Sequence, residues 1–268
     1  MSNRSIHTLL KNWDEECPLT REEAVEVLNL PEEEMDSLME CAYALRTKYK
    51  GKKVSVQLLT NVRSGNCTQN CAYCAQSKDS QAEIEKYKRV SDEKLYGDND
   101  LVDEKHLARH CIGLSGIGFS DEEIEDLADR IREMKKKDTQ ICCSIGFLTE
   151  KQARILKDAG LDRINHNLNS SRSFYPEICT THTYDQRVNN IKMLQSLGFE
   201  ICSGGIVGMG ESKEDIVDML MDLREINPES VPINFLLPIP GTKLADRDIS
   251  ELTPDYCMKV LCLARLMV

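Results

Sequence analysis

The stretch KVSVQLLTNVRSGNCTQNCAYCAQS, residues 53–77, carries the strongest structural signal in the chain. Val54, Val56 and Leu58 alternate in the manner of a half-buried strand, and three cysteines, Cys67, Cys71 and Cys74, follow directly. Working outward, five more short segments have strand character: HCIGL (110–114), QICCSI (140–145), DRINHNL (162–168), FEICSGGIV (199–207) and VPINFLL (231–237). Helix starts lie between them: Ser120 with Glu123, Thr149 with Gln152, Thr183 with Gln186, and Thr253 ahead of Pro254, while Gly160 and Gly198 mark stops. Strands alternating with helices imply parallel βα units, rolled into a TIM-type barrel or spread as an open sheet. Either form puts functional residues at the carboxyl ends of the strands, where the cysteine loop falls. The segment SDEKLYGDNDLVDEKHLAR (91–109) should hold the first crossover helix, but GDND is expected to interrupt it.

Residues 1–50 read as an N-terminal helical extension, with a Thr20/Glu23 capping box opening TREEAVEVLNL and Pro31 suited to a first helical turn. Residues 51–268 read as the α/β barrel. The chain ends within the apolar helix TPDYCMKVLCLARLMV, so the expectation is an incomplete barrel of about six βα units, roughly two short of closure.

The 268 residues are 41% hydrophobic, 29% charged and 5% aromatic, the composition of a globular protein with apolar surface enough for a core. A formal charge of −11 offers no footprint for a polyanion, which disfavours nucleic acid and points to a small-molecule partner. No apolar run suits a membrane span or a secretory signal, so a cytoplasmic location is expected. In that setting the twelve cysteines are reduced thiols, free to ligate metal rather than to form a disulfide framework.

Three thiolates in C-x-x-x-C-x-x-C spacing can wrap one corner of an iron–sulfur cubane and leave one iron open to another ligand. Structural zinc is the rival, though it ordinarily takes four protein ligands in paired C-x-x-C spacings, and no second pair is evident. Two further patterns stand out. Gly204, Gly205, Ile206, Val207, Gly208, Met209, Gly210 and Glu211 form a glycine-rich run that lets backbone approach a flat ligand, a weak signal alone. Asn165, Asn167 and Asn169, spaced by two, share a strand face, which is costly on a buried strand unless polar partners meet it; a satisfied core network is the plain alternative.

The cysteine triplet resembles that of the radical S-adenosylmethionine superfamily. Within it, NVRSGNCTQNCAYCAQS, INHNLNSSRSFYPEICTTHTYDQR, CSGGIVGMGES and ESVPINFLLPIPGTKLAD resemble the corresponding blocks of the biotin synthase family, in the same order, from about residue 50 to the end. The resemblance implies a [4Fe-4S] cluster on Cys67, Cys71 and Cys74 whose open iron binds S-adenosylmethionine, and sulfur insertion into dethiobiotin through a 5′-deoxyadenosyl radical. It assigns Tyr73, Gly204, Gly205, Ile206 and Gly208 to the adenosine pocket, Asn167 and Asn169 to the ribose, and Arg187 to the methionyl carboxylate. Asn167 also touches dethiobiotin, and Asn234 its ureido ring. A second, [2Fe-2S] cluster falls on Cys111, Cys142 and Cys202, whereas Cys143 must face away from Cys142. Cys17, Cys41, Cys179, Cys257 and Cys262 match no ligand position and read as ordinary thiols. The family's fourth ligand to that cluster, an arginine on the last barrel strand, has no visible equivalent here. The resemblance also implies a flavodoxin- or ferredoxin-type electron donor and a homodimer. Two alternatives stay open: a single-cluster radical enzyme acting on another substrate class, and an inactive metal-binding domain.

Overall fold

A computed structural model describes residues 19–268; residues 1–18, Cys17 among them, lie outside the described residues. Strand β1 (Gln57–Arg63) pairs in parallel with β2 (Arg109–Leu114), then β3 (Ile141–Ser144), β4 (Arg163–Asn165) and β5 (Glu200–Cys202) follow in chain order. Strand β6 (Gly205–Val207) pairs in parallel with β7 (Ile233–Phe235), and the bridges Asn169–Gly205 and Cys202–Ser230 carry the ladder across from β4 and β5. Among the described residues β1 pairs with β2 alone and β7 with β6 alone, so the parallel ladder forms an arc of βα-barrel type. The arc is curled: Arg109 on β2 reaches Glu200 on β5 across the inner face.

The two faces of the sheet differ in chemistry. Thr60, Ile112, Cys143, Ile164 and Ile201 form one register row, all nearly or completely buried beneath the helices. The alternate row, facing the inside of the arc, contains Cys111, Cys142, Arg163 and Glu200. Strand alternation thus sends Cys143 into the apolar layer and Cys142 inward.

The helices α1 (Arg21–Leu28), α2 (Met35–Lys50), α3 (Asp92–Glu104), α4 (Asp121–Met134), α5 (Glu150–Asp158), α6 (Tyr175–Ile178), α7 (Tyr184–Ser196), α8 (Lys213–Ile226) and α9 (Pro254–Met267) build the outer layer. Capping boxes close at Thr20/Glu23, Ser120/Glu123, Thr149/Gln152 and Thr183/Gln186, and Thr253 caps α9. Pro31 instead caps a 3₁₀ turn, Glu32–Glu34, that leads into α2. Among the described residues no helix is long and apolar enough to cross a membrane.

Three expectations are corrected. Strand β1 begins at Gln57, and Val54 and Val56 precede it, 74% and 58% exposed, because an edge strand has a neighbour on one side only. FEICSGGIV is two strands: a side chain at Gly204 would meet the Pro232 carbonyl at 1.8 Å, and the ladder steps there from β5 to β6. GDND does not interrupt α3. Asp98 and Asn99 turn inward, where the Thr60 hydroxyl donates to Asp98 at 2.6 Å, Asn99 donates to the Met134 carbonyl at 3.1 Å, and the His110 ring lies 2.8 Å from Thr60 and 3.1 Å from Asn99. A buried polar network that ties the helix to β1, β2 and α4 overrides weak local helix propensity.

Candidate functional site

The loop after β1 is held from a distance. The Asn70 side-chain oxygen accepts from the Thr180 and Thr181 amides at 3.0 and 3.3 Å and from the Thr181 hydroxyl at 3.1 Å, while its Nδ2 donates to the Thr180 hydroxyl at 2.7 Å. The Ala72 amide donates to the Ile178 carbonyl at 2.8 Å, so the end of α6 braces the loop between the second and third cysteines.

Cys67, Cys71, Tyr73 and Cys74 line one cleft at the carboxyl ends of the strands, with Gln69, Gln76, Ser115, Gly116, Ser144, Gly146, Asn165, His166, Asn167, Asn169, His182 and Arg187. Arg187 orients that wall: its Nε donates to the Tyr175 hydroxyl, Nη1 to the Asn167 carbonyl at 3.0 Å, and Nη2 lies 2.9 Å from His182 Nε2. The Asn167 side-chain oxygen accepts from the Gly204 amide at 3.1 Å, leaving its amide donors over. Asn169, buried and in the left-handed region at φ 73°, exchanges backbone bonds with Gly204 and Ile206. His166 Nε2 is buried in the cleft wall without a partner, and burial, followed by the nearby Arg187, pushes the imidazole down to about 3, so it stays neutral.

Not every expected residue reaches this cleft. Gly204, Gly205, Ile206 and Gly208 lie behind it, where Gly204 and Gly205 give the room that Pro232 and Met219 occupy and hold the asparagine wall through backbone bonds. Asn234 sits exposed on β7, outside the cleft lining.

Sequence reasoning passed over Cys179. Its sulfur lies 3.8 Å from that of Cys71 and 3.3 Å from His182 Nδ1, buried behind the loop. The Cys71 thiol donates to it and so draws Cys179 down against the opposing effect of burial, while Cys71 is held up. Gln69, Tyr175 and His182 join the same network; all three lie inside the resemblance blocks, and nothing in the sequence singled them out.

Among the described residues, the group whose ligand atoms all fall within 4.8 Å of one another is Cys71, Cys179 and His182. That group shares only Cys71 with the triplet; Cys67, Cys71 and Cys74 open together on one cleft, where three thiols can hold three irons of a cubane and leave the fourth to another ligand. The unpartnered His166 nitrogen and spare donors of Asn167 suit a polar ligand beside it.

Deeper in the arc, Cys111 and Cys142 are direct register partners on β2 and β3, and the Cys202 sulfur accepts from Asn165 Nδ2 at 3.5 Å. The Cys142 thiol, against burial and with help from Arg109 and Arg163, holds Cys111 below its ordinary value, while Cys142 is pushed up.

Comparison with known proteins agrees with this geometry. Residues 61–223 match the radical SAM superfamily, and residues 232–268 match the Biotin and Thiamin Synthesis associated domain. The chain is 42% identical to biotin synthase of Geobacillus kaustophilus and 41% identical to that of Bacillus subtilis, in each case over 93% of this chain and 74% of the relative. In fold it is similar to methylornithine synthase, with a TM-score of 0.84 at 19% identity over 98% of this chain and 77% of that one. It is likewise similar to the FeFe-hydrogenase maturase HydG of Carboxydothermus hydrogenoformans, with a TM-score of 0.83 at 19% identity, covering 98% and 63%. At such identities the structural neighbours speak for the fold alone. The sequence relatives match over nearly the whole chain: this chain belongs to the radical S-adenosylmethionine superfamily and, within it, to the biotin synthase family.

Proposed function

We propose that the chain inserts sulfur into dethiobiotin to form biotin, using a [4Fe-4S] cluster held by Cys67, Cys71 and Cys74. The observation that carries this reading is the opening of those three thiols onto one cleft with Asn167 and Arg187, in a chain of this family. When bound there, the cluster and S-adenosylmethionine supply a 5′-deoxyadenosyl radical able to remove hydrogen from a carbon that no side-chain base deprotonates.

The chain's own residues bind, orient and exclude water. Arg187, fixed by Tyr175, His182 and the Asn167 carbonyl, presents its remaining donors to the methionyl carboxylate. Asn167 and Asn169 offer amides to the ribose hydroxyls, Asn167 also to dethiobiotin. Tyr73 walls the adenosine side, and Gly204, Gly205, Ile206 and Gly208 back the pocket from behind the cleft, Gly204 and Ile206 through bonds to Asn167 and Asn169. Asn234 is the contact to the ureido ring, since an amide both donates and accepts. Cys111, Cys142 and Cys202 hold a second, [2Fe-2S] cluster as sulfur source, supported by the direct pairing of the first two and the inward face that all three share. A small electron-transfer protein supplies the electrons.

The test is anaerobic reconstitution with iron and sulfide, then incubation with S-adenosylmethionine, dethiobiotin and a low-potential reductant. The parent chain should release 5′-deoxyadenosine and biotin, and the C67A/C71A/C74A variant neither. Release of 5′-deoxyadenosine from the parent without biotin would replace dethiobiotin by another substrate; release of neither would overturn the catalytic reading.

A further inference from the structure

The register across the inner face surrounds one arginine with the deeper cysteines. Cys111, Cys142, Arg163 and Glu200 are consecutive neighbours in one row over β2 to β5. Cys202 stands one pleat above Glu200 on the same face, and Arg109 one pleat below Cys111. Arg163 is thus the residue of β4 that lies between the cysteines of β3 and β5. It is held there: its Nε and Nη2 donate to Glu200 Oε2 at 3.0 and 2.7 Å. Arg109 Nη2 donates to the same oxygen at 3.1 Å, and Arg109 Nη1 is buried with no partner at all.

The charges do not balance among themselves. Two guanidiniums, with side chains 11% and 12% exposed, share one carboxylate that is itself 43% exposed, which leaves one positive charge over on the inner face. An uncompensated buried charge and an orphaned buried donor are both expensive, and each calls for an anion nearby. Three thiolates on a doubly positive two-iron core carry one net negative charge, which is the charge the site lacks.

We propose that Arg163, positioned by Glu200 and seconded by Arg109, is the cationic partner of the group held by Cys111, Cys142 and Cys202, donating hydrogen bonds to its sulfurs and neutralising it. The proposal rests on the two-iron reading of those cysteines given above. It assigns the cationic contact to β4, from residues whose sequence neighbourhood gave no sign of it. Glu200 is a positioning residue that acts through the two arginines.

The test uses the C67A/C71A/C74A chain, so that any iron present belongs to the deeper site. After anaerobic reconstitution, iron and sulfide are counted and the reduction potential is titrated by visible absorption, with far-UV circular dichroism as a check on folding. Arg163→Met should bind less iron and shift the potential of what remains to more negative values, since reduction adds negative charge where a positive one was removed. Arg163→Lys should restore both in large part. Glu200→Gln should shift the potential the opposite way. A merely structural salt bridge predicts no such opposed pair of shifts. If the parent triple variant holds iron and the potentials of Arg163→Met and Glu200→Gln stay put or move together, the proposal fails and the two-iron reading survives. If the parent holds no iron, that reading fails and takes the proposal with it. Should Arg163→Met not fold, the Glu200→Gln shift measured against Arg163→Lys decides the matter.

Discussion

A single missing carbon fixes the join between two strands. A Cβ on Gly204 would meet the Pro232 carbonyl at 1.8 Å, and backbone has no rotamer by which to yield. Gly204→Ala is expected to cost about 3 kcal/mol, at the upper end of overpacking, and to lower the thermal midpoint of the chain accordingly. Gly204 could be singled out from a glycine-rich run, but its reason could not: the run suggested a ligand against the backbone, and the structure puts Pro232 there instead. Cys179 was illegible for the same reason. Nothing within a few residues of it names Cys71, 108 positions earlier, as its neighbour. The triplet Cys67, Cys71 and Cys74 was legible because its ligands are local in sequence.

Elements announce themselves where their determinants are short-range. The capping boxes at Thr20, Ser120, Thr149 and Thr183 close through residues three positions apart, and each is where the sequence puts it. Helix α3 was obscured because Asp98 and Asn99 answer to Thr60, His110 and Met134, which lie on other elements. One cap also answers to pH. Asp215 in the first turn of α8 accepts from the hydroxyls of Ser171, Ser173 and Ser212 at 2.6, 2.7 and 2.7 Å. Burial opposes its ionisation, but these bonds outweigh burial and hold the carboxyl down at about 2. A carboxyl lower in the folded than in the unfolded chain contributes stability that is complete above the unfolded value, near 3.8, and is lost as pH falls through the folded one. Asp215→Asn should therefore be less stable at neutral pH by about 1 kcal/mol, allowing for solvent screening, with the difference closing between those two values. Denaturant titrations at neutral pH and below pH 4 would show it.

At the scale of the molecule, the cleft draws on the loop after β1, the ends of β2, β3 and β4, and the start of α7. A ligand seated there binds the folded chain alone and must stabilise it. S-adenosylmethionine should stabilise the cluster-loaded chain by about 2.7 kcal/mol at a hundredfold excess over its dissociation constant, seen as a raised thermal midpoint, and do so far less for the C67A/C71A/C74A variant. The parallel strand order was legible in the alternation of elements, whereas the curl that lets Arg109 meet Glu200 depends on contacts no local pattern encodes. The brace on the cysteine loop also sets an order in time. Asn70 is secured by Thr180, 110 residues later, so a ribosome releases Cys67, Cys71 and Cys74 well before the residues that fasten them. At ordinary rates of elongation that interval is on the order of 10 s. Iron delivered during it would meet a loop without its wall, which sets cluster loading after the Thr180 segment has emerged.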